Sequence, residues 1–489
     1  MSLRIALAQI DPVVGDFAGN VSALGRQVAQ AAFLGANVVF TSSAALTGAP
    51  VGDLLSRPAF RAELATTIEQ VAQIANDAQV MIALHDGTEP RWVLPAGWHA
   101  PAEVVLVESL AELAGLEPRE GAAIYAVLAA APASLASPAA HRELVTAAAR
   151  RLGATVAFAN LAGGTDDVVF GGGSLLVGPD GAVLARAPFF ASALVCEGQV
   201  VGHDLVGAPE AEIGYLTICA GLSSYCAKNG ITKAILGLSG GIDSALAVVM
   251  AADVLGGRNV IGVSMPSEHS SSHSLDDAAL SAAVLGVDYR VVPIAPMVAA
   301  FSSAISLSGL AAQNIQARVR GSILMGISNE EGGMVLATGN RTEVAVGYST
   351  IYGDTCGGYA PLGDAPKTLV WQMSRWRNEQ ADLAGETPPI PESSITKPPS
   401  AELAPGQQDS DSLPPYSRLD PLLADALERQ LTREELVAIH DPAEVDHVLG
   451  LVRRAEWKRR QYAPAPRLYE RGFQVGREVP ISSRWLKQI

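Results

Sequence analysis

Between Arg4 and Gly178 short apolar runs alternate with Ala-rich stretches of helical periodicity. The runs are RIALAQI, ANVVFTS, VMIALH, VVLVES, TVAFANL and GSLLVG. Runs this short read as strands and the stretches between them as helices, which predicts a layered α/β domain. From Gly198 to Glu212 the pattern relaxes into glycine, proline and mixed polar residues, and helical periodicity resumes at Gly214. A linker there divides the chain into domains at 1–205 and 211–489. In the second part, AILGLSGGIDSALAVVMAADVLG reads as a strand from Ala234 to Leu238, a tight turn, and a helix starting near Asp243. Glu386 to Pro415 turns to Pro, Ser, Gln and Asp with little periodicity, a long loop of the kind that is either functional or unfolded.

Length adds to this picture, because 489 residues exceed one ordinary core and suggest two or three domains. A net charge of -16 argues against general nucleic-acid binding, which needs an excess of Lys and Arg. Cys196, Cys219, Cys226 and Cys356 form neither a disulfide framework nor a Cys-x-x-Cys pair, so a reducing cytoplasm is expected. The opening MSLRIALAQIDP is interrupted by Gln9 and Asp11 and reads as a strand, not an export signal. Gly121 to Ala140 is uncharged, but it is built mainly of Ala and contains Pro132 and Pro138, so no membrane span is expected. The last 40 residues carry ten Lys or Arg against three Glu. On composition alone that is a solvated basic end.

The sharpest local signal is SGGIDS, Ser239 to Ser244, between the strand and the helix. Unpaired N–H groups at a helix start face an anion, and Gly240 and Gly241 let the backbone approach it closely. Ser239 and Ser244 add hydroxyl donors. Asp243 would repel phosphate unless a cation lay between them, which implies magnesium shared with a nucleotide. An ordinary glycine turn with an acidic cap is the simpler alternative, but the preceding buried-strand pattern favours phosphate. No Gly-Lys-Ser or Gly-Lys-Thr follows, which disfavours transfer of the terminal phosphoryl group. The loop resembles that of the N-type ATP pyrophosphatases, which adenylate an oxygen and release pyrophosphate.

Further blocks narrow the resemblance: NIQARVRGSILM, VLATGNRTEVAVGYSTIYGD, DAPKT, ITKPPSAEL and DSDSLPPY. Together they resemble NAD synthetases over residues 211–489. The resemblance implies a doubly wound parallel-sheet (Rossmann-like) domain that uses Mg2+ and ATP to adenylate nicotinate adenine dinucleotide, which ammonia then amidates. It further implies that Glu343 joins Asp243 as a metal ligand, Thr338 contacts ATP, and Lys367 holds its phosphates. Asp354 matches an aspartate near the nicotinate ring, where a carboxylate would hold ammonium; a plain turn residue is the alternative. Arg318 and Arg320 are spaced so that a helix points them apart, leaving one, taken as Arg318, for the substrate. Residues 386–415 resemble a mobile cover over ATP, disordered without ligand, with Lys397 and Ser400 reaching phosphates on closure. Lys458 matches a lysine used against the deamido-dinucleotide, and assembly as a homodimer or higher homo-oligomer is implied. The rivals are another N-type pyrophosphatase, such as a GMP synthetase or tRNA-modifying enzyme, and a non-catalytic dinucleotide-binding protein.

The first part, through IALAQIDPVVGDFAGN, LTGAPVGDLLSRPAF and NLAGGTDDVVFGGGSLLVGPDG, resembles the nitrilase-like αββα sandwich of glutamine-dependent NAD synthetases. Such domains use Glu, Lys and Cys as base, oxyanion stabiliser and nucleophile. Here the corresponding positions read Ser43, Arg91 (three residues before Leu94-Pro95) and Val107, and no cysteine precedes Cys196. Glutaminase activity is therefore expected to be lost. The retained domain then serves stability or assembly, or docks a separate ammonia-supplying glutaminase.

Overall fold

The computed structural model describes residues 3–400, 402–404, 406–473, 476–477 and 479–482. The chain divides into two compact units, Met1–Ala208 and Pro209–Ile489.

The first unit stacks two five-stranded sheets between helical layers. One sheet runs Ala193–Cys196, Ile5–Gln9, Val38–Thr41, Met81–His85, Pro90–Val93; the other runs Val183–Arg186, Leu175–Val177, Thr155–Ala159, Ile124–Leu128, Val104–Val107. Strand alternation builds the layers. Ile5, Leu7, Val38 and Phe40 face the other sheet, where Ile124, Ala126 and Leu128 meet them. Ala6, Ala8, Val39 and Ile82 face the helices Phe17–Phe33 and Pro58–Ala78. Val107, Tyr125 and Val127 face the helices Leu110–Gly115 and Ser137–Leu152. This is the αββα sandwich implied by the resemblance. The uncharged stretch after Gly121 contains a central strand, Ile124–Leu128, buried on both faces, which explains why it carries neither charge nor alternation.

The second unit is built on a parallel sheet in the order Asp288–Val291, Val260–Ser264, Ala234–Gly237, Met334–Val335. Helices Ala295–Ala304 and Leu310–Glu331 cover the face carrying Ile235, Ile261 and Val263. Helix Ile242–Leu255 packs against strands Ala234–Gly237 and Val260–Ser264, backed by Glu210–Lys228 and Lys367–Ala384. The chain leaves Ala234–Gly237 toward Val260–Ser264 and returns on its other side as Met334–Val335. The strand order therefore reverses between these two neighbours, and a crevice opens at their carboxyl ends. Among the described residues no helix is long and apolar enough to cross a membrane.

Candidate active site

The SGGIDS segment leaves strand Ala234–Gly237 on one side of this crevice. Gly240 has φ +77°, and a Cβ there would lie 2.1 Å from Ser274 O, so only glycine fits. The serines lock the turn: Ser239 Oγ and Ser244 Oγ lie 3.1 Å apart, and Ser244 Oγ donates to Gly241 O at 3.0 Å. Asp243 sits in the first turn of helix Ile242–Leu255.

The other wall is the segment after Met334–Val335. Thr338 is half-buried there and leads into helix Arg341–Val346, which a capping box starts. Asn340 Oδ1 accepts from Glu343 N at 3.0 Å, and Asn340 Nδ2 donates to Asp243 Oδ1 at 2.8 Å. One side chain thus caps a helix and ties the two walls together.

Lys367 was expected to face phosphates. Its Nζ instead bonds Asp243 Oδ2 and lies 3.3 Å from Glu343 Oε1, with the residue 2 % exposed. Two carboxylates at close range demand a cation, and the lysine at the start of helix Lys367–Ala384 supplies it. The Trp371 and Tyr416 rings lie 6.0 and 5.4 Å from the ammonium. Burial opposes the charge on Lys367, but Asp243 and Glu343 outweigh it and raise its pKa. Burial pushes the Glu343 carboxyl up to about 8, reinforced by Asp243, Asp409 and Asp354 and opposed by Lys367.

Asp354 lies beyond this group, in a segment pressed against helix Leu310–Glu331. A Cβ on Gly321 would meet Tyr352 O at 2.7 Å, so the contact requires glycine. Thr350 N donates to Asp354 Oδ1 at 2.6 Å. The Asp354 side chain is accessible yet densely surrounded by protein. That setting pushes its pKa up to about 6 through desolvation, against the backbone bond and the charges of Lys458 and Arg320. Lys458 Nζ donates to Gly347 O at 2.8 Å and Ser349 O at 2.6 Å, bracing the segment before Asp354, and burial lowers its pKa. The arginines diverge as expected: exposed Arg318 donates to Ile351 O at 3.3 Å and Arg320 to Met265 O at 3.0 Å.

The 386–415 segment was expected to be disordered, but its described residues are tied down; Ala401 and Pro405 lie outside them. Ser394 Oγ donates to Gly240 O at 2.9 Å, Lys397 Nζ lies 3.2 Å from Asp277 Oδ2, and Gln316 Nε2 donates to Leu403 O at 3.1 Å. Hydroxyls and charged groups of the segment thus bond the backbone and helices beneath it, while Asp409 Oδ1, near its end, stays buried without a hydrogen bond. Ser400, expected to reach phosphate, instead donates to Gln407 O at 2.5 Å within its own segment. The basic end lies partly outside the described residues, from 483 to 489.

In the first unit Ser43 follows strand Val38–Thr41 and its N–H donates to Ala129 O at 3.3 Å. Val107 is fully buried on the helix-facing side of its sheet, against Leu113 and Tyr125. Arg91, expected to stand in for a site lysine, sits opposite Leu84 on the edge strand Pro90–Val93. Its half-exposed guanidinium lies 3.3 Å from Asp86, because the short Asp86–Glu89 turn presents the nearest carboxylate. No hydrogen bond or ion pair joins Ser43, Arg91 and Val107 among the described residues.

The NAD synthase family profile matches residues 215–462. Whole-chain relatives agree. A glutamine-dependent NAD(+) synthetase from Rhodobacter capsulatus is 38 % identical, covering 99 % of both chains. One from Synechocystis is 33 % identical, again covering 99 % of both. The chain belongs to the two-domain NAD synthetase family. It is an NAD synthetase, and its fold matches that of the glutamine-dependent enzyme from Acinetobacter baumannii solved with ADP, with a TM-score of 0.72, 29 % identity and 99 % coverage of each chain.

Within this synthetase the crevice brings together Asp243, Glu343 and Lys367, with Asn340 joining Asp243 to the helix that carries Glu343. Sequence reasoning assigned no role to Asn340, Trp371, Asp409 or Tyr416. The signals available were the spacing of Asn340 and Glu343, a capping-box pattern inside the GNRTE block, and the DSDSLPPY block, which begins at Asp409 and ends at Tyr416.

Proposed function

We propose that this synthetase makes NAD from nicotinate adenine dinucleotide with free ammonia as the nitrogen donor, and that its amino-terminal unit is not a glutaminase. In the first step the nicotinate carboxylate attacks the ATP α-phosphorus and pyrophosphate leaves. In the second, ammonia adds to the acyl adenylate and AMP leaves. The Ser239–Ser244 turn, with its helix amides and glycine backbone, suits the departing pyrophosphate, and Thr338 flanks the nucleotide. Lys397 approaches this turn from the covering segment, close to Ser274. Asp354 holds ammonium and takes its proton beside the acyl carbon, while Lys458 and Arg318 bind the deamido-dinucleotide around it.

The donor set fits a magnesium ion, because two hard carboxylates, Asp243 and Glu343, share a lysine ammonium and Asp409 Oδ1 nearby is buried without a hydrogen bond. Asp243 and Glu343 would hold it, and when bound it supplies charge neutralisation of the triphosphate. Lys367 would then be released from the carboxylates toward phosphate.

The observation that carries the ammonia assignment is the absence of cysteine from residues 1–195. Cys196, the first, ends strand Ala193–Cys196, and burial raises its thiol pKa, the opposite of an activated nucleophile. The relatives are named glutamine-dependent, so the donor is the decisive measurement. Purified protein with magnesium-ATP and nicotinate adenine dinucleotide should form NAD with ammonium and not with ammonia-free glutamine. Glutamine-supported synthesis by the protein alone would overturn this reading, and synthesis restored only by an added amidase would identify a docked donor.

A further inference from the structure

The carboxylates near Lys367 are not limited to the pair that touches it. Asp409 comes from the end of the covering segment and is 5 % exposed. Its Oδ2 accepts from Tyr416 Oη at 2.7 Å, and the same Tyr416 ring lies 5.4 Å from Lys367 Nζ. Its Oδ1 is buried and makes no hydrogen bond of ordinary geometry, although the Tyr348 hydroxyl lies against the same carboxylate.

A buried carboxylate oxygen with no close donor is costly, and the one ammonium nearby is already shared by Asp243 and Glu343. The remedy consistent with phosphate chemistry is a divalent cation. Among the described residues no three such groups stand at direct ligating distance, so Asp409 acts through the water shell that magnesium retains. The segment bearing Asp409 is the one that also bonds Gly240 O through Ser394 and Asp277 through Lys397.

We propose that Asp409 is a positioning residue for the divalent cation of the Asp243–Glu343 pair, accepting hydrogen bonds from cation-bound water and thereby coupling closure of the 386–415 segment to cation binding. This rests on the assignment of the cation to Asp243 and Glu343. Closure would add a third negative group to the cation, and a bound cation would neutralise the charge that otherwise opposes burial of Asp409.

The full-length protein, saturated with a non-hydrolysable ATP analogue, is titrated with Mn2+ and free Mn2+ is read by electron paramagnetic resonance. Asp409→Asn should weaken Mn2+ by about 10-fold. Asp409→Glu should recover much of that loss. Tyr416→Phe removes the hydrogen bond but keeps the carboxylate and should bind Mn2+ within about threefold of wild type. Hydrogen exchange across 386–415 should slow on Mn2+ addition in wild type and not in Asp409→Asn. Asp243→Asn separates the two readings. If it loses Mn2+ while Asp409→Asn and Asp409→Glu both titrate as wild type, the role of Asp409 is wrong and the cation assignment stands. If Asp243→Asn binds as wild type, the cation assignment fails and the role of Asp409 falls with it. Should Asp409→Asn not fold, a loss of Mn2+ in Tyr416→Phe equal to that in Asp243→Asn overturns the proposal.

Discussion

Asn340 Nδ2 donates to Asp243 Oδ1 at 2.8 Å across 97 residues of sequence. The bond spans the reversal of strand order, joining the turn after Ala234–Gly237 to the segment after Met334–Val335. It orients one carboxylate toward Lys367 while the same side chain caps the helix carrying Glu343.

Asn340→Ala should therefore cost twice. Loss of the cap is worth about 1 kcal/mol of stability. Releasing Asp243 should lower kcat/KM by about 10-fold or more, a larger effect than the cap alone explains. Thermal melts paired with steady-state kinetics separate the two, and Asn340→Ser, which keeps a capping oxygen but has no amide to reach Asp243, should restore most of the melt but not the activity.

Gly240→Ala forces a Cβ to 2.1 Å from Ser274 O at a φ of +77°. The anion turn or the helix beneath it must shift. ATP binding measured by calorimetry should fall by about 100-fold or more, whereas Gly326→Ala, with an ordinary helical backbone and nothing within 4 Å, should leave it intact.

Lys367→Met leaves Asp243 and Glu343 facing each other without their ammonium. Breaking a buried pair from one side costs about 3–5 kcal/mol. The free protein should melt earlier, and magnesium with an ATP analogue should recover part of the loss by neutralising the same carboxylates. Identical melts for variant and wild type would show that the ion pair does not form in solution.

Asp354 has its carboxyl pushed up to about 6 by its surroundings, with Lys458 and Arg320 the cations that face it. A raised folded pKa means the fold favours the proton, so the ionised form is complete only above about 6 and declines as pH falls through that value. The rate constant for ammonia, after correction for the free NH3 fraction, should drop below pH about 6 in wild type. Asp354→Asn should be slow at every pH and lack that limb.

Val107→Cys restores a thiol at the expected nucleophile position and should not restore glutamine use. The position is fully buried in the helix-facing core, Ser43 offers no general base, and Arg91 is engaged by Asp86 on the edge strand. Glutaminase assays on the variant check this directly, and any glutamine turnover would show that the missing cysteine was the only defect.

What the sequence determined by itself was local. Strand-length apolar runs, such as Ile5–Gln9 and Val38–Thr41, and the strand, glycine turn and helix around Ser239 carry their structure within a few residues. The strand Ile124–Leu128 escaped this reading because it lies inside an uncharged, Ala-rich stretch from Gly121 to Ala140 with no polar residues to mark the strand's ends. The absence of cysteine from residues 1–195 is also plain in the sequence. Tertiary structure decided which of the candidate groups meet. Lys367 reaches Asp243 across 124 residues and Glu343 across 24, because the strand reversal brings their turns to one crevice and two carboxylates there require a cation. Arg91 and Ser400 bond Asp86 and Gln407 O, neighbours that no motif singles out. Motif spacing records which residue types a chemistry needs, but partnership among charges is set by distance and burial, which exist only once the chain has folded.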